Sequence, residues 1–98
     1  MTTYYFLDVD VHDADLYREY VRLAPPTVAA AGGKFIVRGG AHTVLEGNLA
    51  LHRLIVIEFA DRKAFDGWYQ SPAYRDMLAL RERCCRSNAF VVDGTVPG

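Results

Sequence analysis

The run "HRLIVIEFA" (residues 52–60) is the most strongly β-like stretch of the chain. Its β-branched and aromatic residues suit a pleated, half-buried surface. Alternation along a strand puts Leu54, Val56 and Glu58 on one face and Arg53, Ile55, Ile57 and Phe59 on the other. Both faces are apolar, the pattern of a strand covered on both sides. "YYFLDVDV" (4–11) repeats it, with Tyr4 and Phe6 on one face and Tyr5, Leu7, Val9 and Val11 on the other. Whatever the fold, it must supply two covers for these strands.

The remaining segments supply only one. After the first strand, Asp13 is a suitable N-cap, and Leu16, Tyr17, Tyr20, Leu23 and Ala24 follow a helical period. Pro25 and Pro26 interrupt that period, which predicts a broken or kinked helix over residues 14–31. Gly32 and Gly33 stop it, and "KFIVR" (34–38) reads as a strand. Gly39 and Gly40 allow a turn, and "HTVLE" (42–46) reads as a short further strand before the Gly47-Asn48 turn. Asp61 caps a helix over "RKAFDGWYQ"; Ser71 and Pro72 start another that runs to Cys85; "SNAFVVDG" (87–94) is the last strand and "TVPG" (95–98) a flexible tail. The order β-α-β-β-α-β, with the second helical unit split, predicts an α+β fold. It is a ferredoxin-like sandwich: a four-stranded antiparallel sheet, strands one and three central, with helices on one face. The helices leave the other face bare, and monomers rarely tolerate an apolar patch of that size. The economical cover is a second copy, so a homodimer through the sheet face is expected.

Composition narrows the function. A chain of 98 residues holds one domain, 1–98, and 51% hydrophobic residues are many for so small a body. A net charge of −1, a pI near 6.3 and interspersed charges lack the basic face of a nucleic-acid-binding domain. "LIVI" is far short of the ~20 residues of a membrane helix, and "MTTYYFLDVD" lacks the basic start of a targeting segment, so a cytoplasmic protein is expected. Cys84 and Cys85 are adjacent, without CxxC spacing, and read as two reduced thiols near a helix end. "GGKFIVRGG" (32–40) lacks the lysine and hydroxyl that a phosphate-cradling loop needs after its last glycine; it is a strand with a turn at each end.

Candidate chemistry comes from polar residues that share strand faces with apolar ones. Glu58 shares the Leu54/Val56 face, and Asp8 and Asp10 share the Tyr4/Phe6 face. Desolvation in a dimer cavity would raise such a carboxylate toward general-base use. Arg38 could pair with Glu58 or grip an anionic substrate, and a purely structural Arg–Glu pair is the alternative. "WYQSPAY" offers Trp68, Tyr69 and Tyr74 as the walls of a pocket for a flat organic ligand, with Ser71 either among them or only a cap. Arg81 is a second anion contact. His12, His42 and His52 lack metal-ligand spacing, so no metal site is expected, but His42 or His52 could act as acid or base at a cavity mouth.

"GGKFIVRGG", "LEG", "RLIVIEF", "WYQSPAY", "LRERCCRS" and "VVDG", in that order, resemble the DUF1330 family across nearly the whole chain. The resemblance implies a dimeric α+β barrel, in which two ferredoxin-like sheets face each other around a cavity, but little about activity. Fold analogy adds cofactor-free monooxygenases, isomerases and cyclases. The expected function is therefore a cofactor-free proton-transfer or oxygenation enzyme acting on a small carboxylate-bearing or aromatic molecule, with Arg38, Glu58 and His42 as its chemical groups. The competing expectation is a non-catalytic ligand-binding or interaction module.

Overall fold

The computed structural model describes residues 1–95, so beyond Thr95 the expected tail lies outside the described residues. The chain runs β1 (Thr3–Val11), α1 (Ala14–Ala30), β2 (Lys34–Arg38), β3 (Arg53–Phe59), α2 (Arg62–Tyr69), α3 (Pro72–Cys84) and β4 (Cys85–Asp93). The strands form one antiparallel sheet in the order β2-β3-β1-β4, the ferredoxin-like arrangement with β1 and β3 central.

Local chemistry sets the element ends. Asp13 accepts from the amide of Leu16 at 3.1 Å, Asp61 from that of Ala64 at 2.8 Å, and the Ser71 hydroxyl from that of Tyr74 at 3.2 Å, each satisfying an orphan helix donor. Gly32, at φ +76°, turns the chain out of α1.

Two expectations need correction. Helix α1 is continuous through Pro25 and Pro26 rather than broken. The prolines withdraw the donors that would reach the carbonyls of Val21 and Arg22, but Ala24 and Val28 on either side are buried against the sheet, and packing outweighs the local bias. The Thr27 hydroxyl also donates to the Ala24 carbonyl at 2.7 Å. Second, "HTVLE" is not a strand. Residues 39–52 form an irregular arm, with Leu45 89% exposed. It does not pair along the open edge of β2, which among the described residues is hydrogen-bonded to β3.

The core fills the space between helices and sheet. Tyr5, Leu7 and Val9 of β1 and Ile55, Ile57 and Phe59 of β3 face Tyr20, Val28, Trp68 and Leu78 of the helices, all buried. Each such side chain contributes roughly 1.5–3 kcal/mol on burial. Helix α3 passes into β4 without a loop, and the amides of His12 and Asp13 donate to the carbonyl of Cys84 at 2.9 and 3.2 Å. Cys84 and Cys85 are buried free thiols at that junction, 3.5 Å apart.

Strand register lays out the opposite face of the sheet. Lys34, Glu58, Tyr4 and Val92 form one cross-strand row; Val37, Val56, Phe6 and Phe90 the next; Leu54, Asp8 and Asn88 a third; Asp10 and Arg86 lie beyond. Phe6 and Phe90 stack with centroids 4.8 Å apart and rings within 6° of parallel. Phe90 remains 61% exposed and Val92 45%. The protein is thus a slab 17 Å thick in its shortest dimension, with one side finished and the other bare and apolar.

Candidate functional site

The bare face becomes polar where the arm returns to β3. His52 is the last residue of the arm, and the Arg53–Val9 pairing sets it beside Asp8 and Asp10. Its amide donates to Asp8 Oδ1 at 2.8 Å, and its Nδ1 lies 3.2 Å from Asp8 Oδ2. Asp8 therefore holds both backbone and ring, which fixes the imidazole. With Nδ1–H donating to Asp8, Nε2 keeps its lone pair. Nε2 is 3.7 Å from Asp10 Oδ2, so a proton gained there leaves both ring N–H groups facing carboxylates. Asp8 is nearly buried, whereas the His52 side chain is half exposed and reachable.

Beside this pair is a pocket of about 180 Å³ with Phe6, Leu54 and Phe90 as its apolar surface, Leu49 and Leu51 of the arm at its side, and Asp8 and Asn88 as its polar groups. The arrangement suits proton exchange with a small, partly desolvated ligand: a positioned base, a buried carboxylate orienting it, and an apolar wall.

Several residues singled out from the sequence lie elsewhere. Arg38 and Glu58 occupy opposite faces of the sheet, so the expected pair does not form. A register irregularity between Phe35 and Val37 reverses the alternation, leaving Lys34 opposite Glu58 and placing Arg38 opposite Ile55 on the helix side. The Arg38 guanidinium sits 4.4 Å from the centroid of the Phe35 ring. Glu58 borders a separate shallow depression with Lys34 at the other end of the bare face. His42 is an exposed arm residue. Trp68, Tyr74 and Arg81 are buried in the core, on the side of the sheet away from the Asp8–His52 pocket. Ser71 caps α3, and Tyr69 borders a groove between α2 and β4 together with Phe65 and Arg62.

Arg81 organises a group of phenols inside the core. Its Nη1 donates to the hydroxyls of Tyr5 and Tyr74 at 3.3 and 3.4 Å, and the hydroxyls of Tyr74 and Tyr20 are 2.9 Å apart. Burial pushes Tyr20 up to about 12 and raises Tyr5 and Tyr74 as well, so all three are neutral at physiological pH. Burial likewise pushes the Cys85 thiol up to about 12, which leaves it protonated and a poor nucleophile. Among the described residues, no group of three or more acidic, histidine or cysteine side chains is placed to hold a metal ion.

The comparisons with known proteins agree with this architecture. The DUF1330 family, a domain of unknown function, matches residues 2–95. The chain belongs to the DUF1330 family. A protein of unknown function from Rhodopseudomonas palustris is 19% identical with a TM-score of 0.79, the match covering 98% of this chain and 84% of that one. A dimeric ferredoxin-like protein of unknown function from Jannaschia sp. CCS1 is 11% identical with a TM-score of 0.72, covering 96% and 100% of the two chains. SnoaB from Streptomyces nogalater, a cofactor-independent oxygenase, is 17% identical with a TM-score of 0.65, covering 98% and 95%. At these identities the likeness is one of fold. No curated protein matches the sequence. For this DUF1330 chain the sequence already put Asp8 and Asp10 on the Tyr4/Phe6 face and His52 at a strand end, but it did not say which face the helices cover, and the grip of Asp8 on His52 crosses 44 residues and carries no local signal. Asn88 was missed altogether, because an asparagine within a strand that reads as an apolar edge has no motif around it.

Proposed function

We propose that this DUF1330 protein is a homodimer joined through the bare sheet face, and that each subunit binds a small organic molecule in the pocket beside His52 and exchanges a proton with it without a cofactor. The observation that carries this reading is the double hold on His52 by Asp8, which lines an apolar pocket together with Leu51, the residue before that histidine. Dimerisation is supported by the exposed Phe90 and Val92 and by the dimeric ferredoxin-like relative. Cofactor-free chemistry is supported by the cofactor-independent oxygenase that shares the fold. We assign the base to His52 rather than to His42 or Glu58, because His52 alone of the three has a buried carboxylate orienting it.

A second reading has its own observation. Asp8 also binds the backbone amide of His52, so the pair could be a clasp that anchors the arm in a non-catalytic binding module. A thermal-shift screen of small phenols and carboxylic acids, followed by NMR of the imidazole, separates the two. The proposed function expects compounds that raise the melting temperature to move the His52 ring signals, and His52→Gln to retain the dimer but lose proton exchange. Stabilising compounds that leave those ring signals unmoved, and stabilise His52→Gln equally, would overturn it in favour of the clasp.

A further inference from the structure

The helix side of the sheet is not closed everywhere. A crevice runs between α1 and the β2–β3 edge, with Tyr17, Val21 and Pro25 on the helix, Phe35 and Ile55 on the strands, and Trp68 among its lining. Arg38 and Arg53 also line it, and among the described residues no carboxylate does. Arg38 is opposite Ile55, and Arg53 is two residues from Ile55 along β3. The two are therefore diagonal neighbours on the helix side, roughly 7–8 Å apart at Cα. The helix arginines Arg18, Arg22 and Arg62 each pair with an acid three or four residues away. Among the described residues, Arg38 and Arg53 pair with none.

Arg53 is fixed by its surroundings. Its Nε donates to the Tyr17 hydroxyl at 3.2 Å, and its terminal nitrogens have no acceptor among the described residues. Its guanidinium rests on Gly39, where the Cβ of any other residue would collide with Nη1 and Cζ. The Arg38 guanidinium is held over the Phe35 ring. Like charges fixed side by side on an apolar wall favour an anion between them, and a guanidinium grips a carboxylate through two parallel bonds. The crevice itself is tight: about 20 Å³, room for one water molecule. Its helical wall is the part that can yield. Pro25 removes the donor to the Val21 carbonyl, both residues line the crevice, and a helix bends most readily where its ladder is interrupted. From this juxtaposition we infer that the crevice binds an organic acid. The carboxylate meets Arg53 and Arg38 at the mouth, and the apolar body enters between α1 and the sheet toward Trp68. The site is on the opposite face from the Asp8–His52 pocket and does not depend on the reading of that pocket.

Trp68 is the chain's one tryptophan, so its fluorescence reports what enters the crevice. The probe is hexanoate, with hexanol as the control that lacks the charge and acetate as the one that lacks the apolar body. Wild-type protein is expected to show a saturable change in Trp68 emission with hexanoate, at concentrations about tenfold lower than with hexanol or acetate. Arg53→Gln and Arg38→Gln are each expected to weaken hexanoate binding about tenfold and to leave the response to hexanol as it was. Equal affinity for hexanol and hexanoate, or a hexanoate affinity that either variant leaves unchanged, overturns the inference. So does emission that none of the three compounds moves. Should Arg53→Gln fail to fold, Arg38→Gln, whose side chain is exposed, decides the matter by itself.

Discussion

The two faces of this sheet both carry aromatic and aliphatic residues and end in opposite states. On the helix side, Phe59 is 1% exposed and contacts the rings of Phe65 and Trp68 at 5.6 and 5.3 Å. On the bare side, Phe90 is 61% exposed and stacks on Phe6. Polar groups follow the same division. The helix side encloses Arg81 among neutral phenols, where Nη1 donates to two hydroxyls while the buried Nε has no partner among the described residues. The bare side keeps Asp8, which holds His52, and Asn88 at the edge of an open pocket. The packed core lies on one face, and the other is the one to which we assign association and chemistry.

The largest test of that division replaces one aromatic on each face. Phe59→Ala opens a cavity in a packed core and is expected to cost about 3–5 kcal/mol, read as a fall in the urea midpoint. Phe90→Asp is expected to leave the far-UV circular dichroism of the subunit unchanged, because the side chain is mostly in solvent. In the proposed dimer its effect should be on association: a charge buried in a two-fold contact costs about 2 kcal/mol or more, roughly thirtyfold in the dimer constant by sedimentation. A Phe90→Asp variant that unfolds, or one that dimerises as tightly as wild type, would break the comparison by showing that the bare face is either core or free surface.

Fold and site were legible in the sequence to different degrees, for one physical reason. Strands, caps and element order depend on near neighbours: Asp13, Asp61 and Ser71 cap the helices that follow them, and the apolar alternation of 52–60 needs no knowledge of the rest of the chain. The same alternation showed that one face lacked a cover. What failed depends on distant contacts or on a single-residue slip. Pro25 and Pro26 promised a break, but burial of Ala24 and Val28 kept the helix whole. The irregularity between Phe35 and Val37 moved Arg38 through the sheet and dissolved its pairing with Glu58. Trp68, Tyr74 and Arg81 read equally as pocket or core, since aromatic residues at helical spacing serve either use, and packing made them core. Asp8 was placed on the face of Tyr4 and Phe6, yet its partner became visible only when β1 and β3 were aligned.

The smallest expected effect sharpens the description of the finished side. Tyr20 has its pKa raised by burial from 10.0 to about 12. The unfolded chain therefore releases this proton near pH 10 while the folded chain holds it to about pH 12, so the contribution is complete below pH 10 and disappears as pH rises through that window. Tyr5 and Tyr74 shift in the same direction, and the urea midpoint should fall as the solution is made alkaline. Tyr20→Phe removes the hydroxyl bond to Tyr74 and is expected to cost only about 0.5–1.5 kcal/mol at neutral pH, since Tyr74 keeps its bond from Arg81. The same variant should flatten part of the alkaline fall, because one of the three protons no longer differs between folded and unfolded chains. An alkaline profile unchanged by Tyr20→Phe would mean that water reaches this hydroxyl, and that the helix side is less closed than its packing implies.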